Sequence, residues 1–193
     1  MKRLSLTAAL LSAVMLSGCG SSHKIETAAV IENVSVDSRG GQIYYTFFRL
    51  TGGDTPDGTE IPADSFEQAC DLARREYIPN LSLAKLELLM INRDICGEVL
   101  KRDIEYISTQ SSFSPMAYFT LCDSQTLKSV CENTSVQQLI EEQLALCKSQ
   151  NADVNISYLS LFNSYSRADS GDVTVPYVSC DGEIRISAIK ISK

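Results

Sequence analysis

The sequence predicts an α+β domain in which helices pack on a mixed, mostly antiparallel sheet. Three observations lead to this prediction. Segments rich in β-branched and aromatic residues occur in pairs around short turns near both ends of the chain, which is typical of hairpins. Between them, strand-like segments alternate with segments whose apolar residues recur at helical spacing. No internal repeat or linker interrupts residues 25–193, so we expect a single domain there.

The first hairpin is predicted over residues 25–50. The segment IETAAVIENVSV (25–36) and the segment IYYTFFRL (43–50) are both rich in strand-forming residues. Gly40 and Gly41 lie between them and can adopt the positive φ that a tight turn requires. Residues 51–64 contain three glycines, two prolines and four acidic residues, which predicts a surface loop.

The middle of the chain is predicted to alternate between helix and strand. A helix should begin near Asp64 or Ser65, extend over residues 65–77 and end before Pro79. The apolar segment 84–92 predicts a strand that is buried on both faces. Helical spacing of apolar residues returns over 93–109, and residues 116–122 predict a fourth strand.

The last third begins with a short helix capped by Asp123 or Ser124 and continues with an amphipathic helix over 135–150. On that helix Glu141 and Glu142 are expected to be exposed. The segment VNISYLSLFNSYS (154–166) fits either a helix or a strand. Residues 173–192 predict a second hairpin that turns at Asp181-Gly182.

The first 18 residues are predicted to be a lipoprotein signal peptide. Lys2 and Arg3 precede an apolar run of 13 residues, which is too short for a spanning helix of ~20 residues and has the length of a signal-peptide core. The following Leu16-Ser17-Gly18-Cys19 resembles the bacterial lipoprotein box. That resemblance implies that Cys19 receives a diacylglycerol group and becomes the first residue of the mature chain, with 19–24 as a linker.

The charge of the mature chain limits the classes of partner. Once Lys2 and Arg3 leave with the signal peptide, the 24 acidic side chains exceed the basic ones by nine. Such an acidic protein is repelled by nucleic acid and by anionic lipid headgroups. Attachment to the outer face of the plasma membrane would therefore depend on the acyl chains of Cys19.

No catalytic set is evident in the predicted domain, which contains no histidine because the single His23 lies in the linker. Ser82-Leu83-Ala84-Lys85 matches the S-x-x-K motif of penicillin-recognising enzymes, but it runs into a predicted strand rather than starting a helix. The acidic loop around Asp54 and Asp57 lacks the ligand alternation of an EF-hand. We predict a chain without enzymatic activity, cofactor or metal.

Six cysteines remain besides Cys19, and none forms a C-x-x-C motif. Outside the membrane they could form disulfides, and Cys122 and Cys131 could bridge across a turn. The alternative is that they are small buried apolar residues, which the predicted helix positions of Cys70 and Cys147 favour.

The layout resembles the N-terminal domain of GerAC-type spore germination lipoproteins, the C subunits of nutrient germinant receptors, without their usual C-terminal region. The similar residues are Ala28 to Ile31, Val36-Asp37, Tyr45-Thr46, Ser65, Ala69, Leu86 to Ile91 and Pro176. Lys85 and Asn92 depart from that pattern, where the family often has histidine and glycine. The resemblance implies a lipid-anchored subunit at the spore inner membrane that works with polytopic receptor subunits. The alternative is an extracytoplasmic lipoprotein that binds a small ligand in envelope sensing.

Overall fold

The computed structural model describes residues 29–49, 56–150, 154–167 and 171–192. In this part of the chain eight strands form the sheet: β1 (Ala29–Arg39), β2 (Gln42–Arg49), β3 (Asp57–Pro62), β4 (Leu81–Ser82), β5 (Leu88–Asn92), β6 (Tyr118–Cys122), β7 (Val173–Cys180) and β8 (Ile184–Ile191). The helices are α1 (Phe66–Leu72, continued by a π-helical turn, Ala73–Tyr77), α2 (Cys96–Thr109, entered through a 3-10 turn, Arg93–Ile95), α3 (Ser124–Glu132), α4 (Thr134–Gln150) and α5 (Tyr158–Arg167).

The strand order is β3-β2-β1-β5-β6-β7-β8, with the short β4 beside the start of β1. Strands β1, β5, β6 and β7 are parallel to one another and form the centre of the sheet. Antiparallel partners flank this centre on both sides and contribute most of the paired residues. The structure therefore confirms the predicted α+β fold with a mixed sheet and helices packed on it.

One face of the sheet, which we name the covered face, carries the larger hydrophobic core. Its strands contribute Val34, Val36, Tyr45, Phe47, Leu89, Ile91, Phe119, Leu121 and Val175, all of which are buried. Helices α1, α2 and α5 pack on these side chains through residues that include Phe66, Val99 and Leu161. An irregular register between Ile31 and Asn33 lets Ile31 join the same core as Val34, although three positions separate them.

The opposite face, which we name the half-covered face, has a smaller core. Helices α3 and α4 cover β5 to β8 here through Leu127, Val130, Ile140 and Leu144, which pack against Leu88, Met90, Cys122 and Val178. On β1 the residues that alternate with the covered core are Asn33, Ser35 and Asp37. Helix α4 reaches this polar row, where Asn33 Nδ2 donates to Gln137 Oε1 at 2.7 Å. A polar group buried under a helix needs such a partner, since leaving it without one would cost free energy.

A polar network lies inside the covered core. The Tyr45 hydroxyl donates to Asp103 Oδ2 at 2.7 Å, and Arg102 donates from Nε to Asp103 Oδ1 at 2.9 Å and from Nη2 to the Tyr45 hydroxyl at 2.6 Å. Asp103 is only 3% exposed, and both of its carboxylate oxygens have hydrogen-bond partners, as a buried acidic group requires. Burial, and then the charge of Asp103, raise the pKa of Tyr45.

Most of the predicted elements are present, including both hairpins. Gly40 and Gly41 have φ values of 61° and 82°, and Gly182 has φ 74°, as the predicted turns require. Ser65 caps α1 by accepting a hydrogen bond from the Gln68 backbone nitrogen at 3.1 Å. The ambiguous segment 154–166 is largely helical, because α5 places Tyr158, Leu161 and Tyr165 in the covered core.

Two predicted boundaries were wrong. Residues 51–64 were predicted to be a loop, yet β3 pairs with β2 over Asp57–Pro62. An edge strand tolerates Pro62 at its end, and Gly58 fits closely against Phe48, where an added Cβ would come within 2.9 Å of the ring. The strand predicted over 84–92 begins only at Leu88, because a turn closed by Leu86 N and Leu83 O precedes it.

Candidate functional site

A polar groove opens where the parallel strands end, on the half-covered face. We name it the carboxyl-edge groove. It has a volume of about 430 Å³ and lies between α3 and the polar side of β1 to β3; its lining residues are Ser35, Asp37, Arg39, Thr46, Glu60, Ser124, Leu127, Lys128 and Cys131. Its size falls in the range of small-molecule sites.

The topology explains why a groove forms at this position. After β5 the chain turns into α2, which packs on the covered face, whereas after β6 it turns into α3, which packs on the half-covered face. Two neighbouring parallel strands thus send their connections to opposite sides of the sheet. Open α/β sheets commonly bind ligands in the crevice that such a divergence creates outside the carboxyl ends of the strands.

Strands β1 and β5 and the first residue of α3, the helix that follows β6, each contribute one polar residue to a cluster at this edge. Asn92, at the end of β5, donates from Nδ2 to Asp37 Oδ1 at 2.6 Å and to Ser124 Oγ at 2.8 Å. Asp37 Oδ1 also accepts from the Ser38 backbone nitrogen at 2.8 Å and from Ser124 Oγ at 3.3 Å. Asn92 is 3% exposed and is itself fixed, because its Oδ1 accepts from the Asp94 backbone nitrogen at 2.9 Å.

This arrangement leaves one acceptor free. All three donors to Asp37 bind Oδ1, and within the described part of the chain Oδ2 has no hydrogen-bond or ion-pair partner. The Asp37 carboxylate is therefore held in one orientation by bonds to Oδ1, while Oδ2 keeps no such bond within the described residues. A fixed acceptor of this kind loses little conformational freedom when a donor binds to it.

The other charges around the groove differ in how well they are paired. Arg39 forms a close ion pair with Glu60, and its guanidinium also lies 4.4 Å from the centre of the Tyr44 ring. Lys128 has only a distant interaction with Glu132, at 3.9 Å, and its side chain is 76% exposed. The charge of Asp37 also acts on Arg39, since it adds to the larger effect of the Glu60 hydrogen bond in raising the pKa of Arg39. Of the two cations, Lys128 is the more loosely paired.

A second groove lies at the opposite end of the sheet, and we name it the amino-edge groove. It has a volume of about 320 Å³ and is lined mainly by apolar residues of α2, α5 and the loop before β6: Ile107, Phe113, Pro115, Tyr158, Leu159 and Phe162, together with Ser108, Gln110 and Ser111. Leu159 is 43% exposed, and the neighbouring Met116 is 55% exposed. This end of the molecule thus presents apolar side chains to solvent.

Three carboxyl groups meet near the same end, on the half-covered face. Glu141 of α4 lies beside Glu87 and Glu32, and burial, followed by the charge of Glu87, raises the pKa of Glu141 to about 7. The prediction that Glu141 is exposed was therefore wrong, whereas Glu142 is exposed as expected. Sequence pattern could not reveal the difference, because the two neighbours of Glu141 come from β1 and from the turn before β5.

The sequence-predicted site residues divide into two groups. The lipidation site Cys19, the lipobox residues Leu16, Ser17 and Gly18, and His23 lie outside the described residues. Ser82 lies in β4 and Lys85 in the turn that follows, so the S-x-x-K motif does not start a helix. Serine-lysine catalysis needs that helical geometry, and this site lacks it.

The bridge considered between Cys122 and Cys131 is not formed. All six cysteines of the described residues are free thiols. Cys122 is completely buried at the end of β6, whereas Cys131 is exposed near the far end of α3. A helix of this length separates its ends by about 12 Å, well beyond the spacing that a disulfide requires.

The comparisons with known proteins add no relative. No protein-family model, no curated protein and no solved structure matches this chain. The resemblance to GerAC-type lipoproteins consequently stays a prediction. The cluster of Asp37, Asn92 and Ser124 was not predicted as a site. The signal available in the sequence was that Asp37 follows a predicted strand, Asn92 ends another, and Ser124 stands at the predicted helix start after a third.

Proposed function

We propose that this chain is a lipid-anchored, non-catalytic interaction subunit on the outer face of a bacterial plasma membrane, of the spore-germination lipoprotein type. Its partner would be a polytopic membrane protein, as in a nutrient germinant receptor. The observation that carries the proposal is the exposed apolar surface at the amino edge of the sheet, the edge at which the chain enters from the predicted anchor. The residues that resemble the germination family are the reason for proposing a germinant-receptor subunit among such partners.

The position of the anchor relative to this edge follows from the chain length. Ala29 begins β1 ten residues after Cys19, and an extended chain spans at most about 3.6 Å per residue. A lipidated Cys19 would therefore keep the start of β1 within about 35 Å of the membrane. The amino ends of the parallel strands share this edge of the sheet.

Exposed apolar side chains gather at the same edge. Tyr77 is 50% exposed and ends the helical segment that precedes β4, which pairs with the first residues of β1. Met116 lies two residues before β6. Leu159 lies in the same region, because its backbone N–H donates a hydrogen bond to Pro115 O at 3.1 Å. Exposed apolar surface of this kind commonly marks an interaction site.

The charges favour a protein over the lipid headgroups as the contact for this surface. The three carboxyl groups of Glu32, Glu87 and Glu141 lie towards the same edge, and the chain is strongly acidic as a whole. Anionic headgroups would be repelled by these groups at neutral pH. An apolar groove on a transmembrane partner's outer surface avoids that repulsion and fits the exposed leucine and methionine.

Site-specific crosslinking in membranes tests the proposal. A photoreactive amino acid would replace Met116 in one variant and Gln125, an exposed residue at the carboxyl edge, in the matched control. We expect the Met116 variant to capture a polytopic membrane protein and the Gln125 variant not to do so. Capture of lipid alone from Met116, or equal capture from both positions, would contradict the proposal. A Cys19→Ser variant should lose both membrane attachment and the crosslink.

A further inference from the structure

We propose that the outer edge of β8, which we name the β8 edge, binds an extended acidic segment of another protein that adds one strand to the sheet. Two acidic side chains five positions apart in that segment pair with Arg185 and Lys190. The inference goes beyond the proposed function, because it involves neither Met116 nor the amino-edge groove, so either proposal can fail without the other.

The topology leaves this edge open. Strand β8 stands at one end of the strand order, so only β7 lies beside it within the described residues. It pairs with β7 over its full length of eight residues, without a break in register, and it contains neither glycine nor proline. A long and regular edge of this kind can accept a further strand through its free backbone groups.

The direction of those backbone groups follows from Pro176 of β7, which lies opposite Ala188. Pro176 O accepts from Thr120 Oγ1 of β6 at 3.2 Å, so this carbonyl points away from β8. Pro176 also lacks an N–H, so it and Ala188 form a non-hydrogen-bonded pair, in which both residues turn their backbone groups outward. Such pairs alternate with bonded ones, so Ile186 and Lys190 share the outward direction. Within the described residues no strand or turn supplies partners for these groups.

The side chains of the β8 edge are basic, although the chain as a whole has a formal charge of −7. Arg185 and Lys190 are exposed, and β8 contains no acidic residue. Arg185 lies 3.8 Å from Glu183, but both side chains are mostly exposed, so this ion pair is weak. Lys190 forms no ion pair with any of the described residues. Two loosely held cations favour an acidic segment at this edge.

The positions of the two cations define the spacing of the acidic residues. Arg185 lies opposite Ser179 and Lys190 lies opposite Thr174. Because side chains alternate between the faces of a sheet, residues five positions apart lie on opposite faces. Side chains directly opposite each other on neighbouring strands share a face and interact. Two acidic residues at the same spacing on the added strand would therefore each meet one cation.

The other edge of the sheet is less suitable for an added strand. Strand β3 has only six residues, includes Gly58 and ends at Pro62, both of which weaken strand pairing. Its two acidic side chains already form ion pairs with arginines of β1 and β2. The two edges thus differ in length, regularity and available charge.

A second copy of the chain fits the β8 edge less well than an acidic segment does. Pairing of β8 with itself would bring Arg185 and Lys190 of both copies to one boundary. With the pairing centred between Ser187 and Ala188, Arg185 would lie directly opposite the second copy's Lys190. Like charges at opposed positions destabilise a pair of strands.

Fluorescence anisotropy with dye-labelled peptides and the full-length chain in detergent tests the inference. The probe is the octapeptide VEITVTEV, whose two glutamates are five positions apart, and its matched control is VKITVTKV. We expect VEITVTEV to bind at least about tenfold more tightly. Two further forms of VEITVTEV carry N-methyl groups on alternate residues, so that each lacks the donors of one edge. At least one of them should bind about tenfold more weakly, because an added strand is held by backbone hydrogen bonds.

Variants of the chain locate the contact. The double variant Arg185→Glu with Lys190→Glu changes two exposed side chains and should reverse the preference, so that VKITVTKV binds more tightly than VEITVTEV. Lys101→Glu with Lys128→Glu makes the same change in net charge at exposed positions elsewhere and should leave the preference unchanged. Ala188→Pro removes an outward N–H, which an edge strand tolerates, and should weaken the binding of VEITVTEV.

The inference fails if VEITVTEV does not bind, or binds no more tightly than VKITVTKV. It also fails if both methylated forms bind as well as the unmodified peptide, because charge alone would then hold the peptide. Unchanged preference in the Arg185→Glu and Lys190→Glu double variant would place the peptide elsewhere on the chain. A dimer of the unliganded chain in sedimentation velocity that Ala188→Pro abolishes would assign the β8 edge to a second copy instead.

Discussion

The two faces of the sheet differ in composition, although the same strands build both. On β1 and β2 the side chains that point to the covered face are Val34, Val36, Tyr45 and Phe47, and those that point to the half-covered face include Asn33, Ser35, Asp37 and Thr46. Helices α1, α2 and α5 close the first face, whereas α3 and α4 close only part of the second. Apolar burial therefore concentrates on one face, and the groove with its uncommitted charges lies on the other.

This difference suggests that one face of the sheet mainly stabilises the fold, whereas the other carries the candidate site. Burying apolar side chains contributes about 25 cal/mol for each Å² removed from water, so the covered face supplies more of the folding free energy. On the half-covered face Asn33 is buried and bonded to Gln137, whereas Asp37 lines the carboxyl-edge groove. Paired substitutions that change one face while leaving the other intact can break or sharpen this comparison.

The largest effect is expected for leucine-to-alanine substitutions on β5, where Leu89 points to the covered face and Leu88 to the half-covered face. Both are at most 1% exposed, so each substitution should lower the free energy of unfolding by about 2–5 kcal/mol. The cost of Leu89→Ala should be near the upper value, because three helices and several aromatic rings around it keep the cavity left by the lost side chain from closing. Leu88→Ala should cost less, because α4 can settle into the space.

Urea unfolding of the two alanine variants measures this difference, with both curves fitted to the same dependence of unfolding free energy on urea concentration. The Leu88 variant serves as the internal control, since it removes the same atoms from the adjacent residue. A larger loss for Leu88→Ala than for Leu89→Ala would contradict the claim that the covered face dominates the stability of the domain.

A smaller effect is expected for the adjacent tyrosines of β2. Tyr45→Phe removes the hydroxyl that links Asp103 and Arg102 in the covered core. We expect it to cost about 1–3 kcal/mol, because Asp103 Oδ2 loses the shorter of its two hydrogen bonds and keeps only the one from Arg102 Nη2 at 3.2 Å. Tyr44→Phe removes an exposed hydroxyl that donates to Gln42 at 3.3 Å, and it should change stability by less than about 0.5 kcal/mol.

Thermal unfolding followed by circular dichroism distinguishes the two tyrosine variants. Equal melting temperatures for them would mean that the buried network of Tyr45, Arg102 and Asp103 stabilises the fold no more than the exposed hydroxyl of Tyr44 does. In that case the polar groups inside the covered face would have to be assigned to fold specificity rather than to stability.

Local signals made the elements of this fold predictable. A few neighbouring residues are enough to recognise the turn glycines, the Ser65 cap and the alternation of apolar and polar residues in β1 and β2. Each of these depends on local backbone preference or on burial of one face. Strand β3 was missed because its glycine and proline are poor strand formers, and only the partner strand β2 makes them suitable.

The candidate site was harder to predict because its parts are distant in sequence. Asp37, Asn92 and Ser124 are joined by hydrogen bonds across 55 and 87 positions, and their meeting depends on the order of β1, β5 and β6 in the sheet. Glu141 was wrongly predicted to be exposed for the same reason, since the residues that partly bury it belong to other elements. Side-chain period predicts which residues are buried, but it does not predict which of them become neighbours.

The smallest expected effect concerns pH and tests how the half-covered face tolerates charge. The pKa of Glu141 is raised to about 7 in the folded state, from 4.5 when unperturbed, so the folded chain binds more protons than the unfolded chain between these values. Stability should therefore fall as pH rises through this window. Glu141→Gln should remove the cost of burying a charge and, as a smaller part, the repulsion from Glu87 and Glu32. It should therefore stabilise the protein at about pH 8 by roughly 1 kcal/mol, a figure discounted for solvent screening.

At about pH 4.5 the same substitution should be nearly neutral, because the carboxyl group is then protonated in the folded chain and resembles the amide. Glu142→Gln, at the exposed neighbouring position, is the matched control and should show no such dependence on pH. Urea midpoints at the two pH values measure both variants. If Glu141→Gln and Glu142→Gln responded alike, the carboxyl groups near the amino edge would be independent of one another. The acidic character of that edge would then be a property of single exposed residues, and repulsion within the cluster would no longer explain why a protein partner is favoured there over anionic lipid.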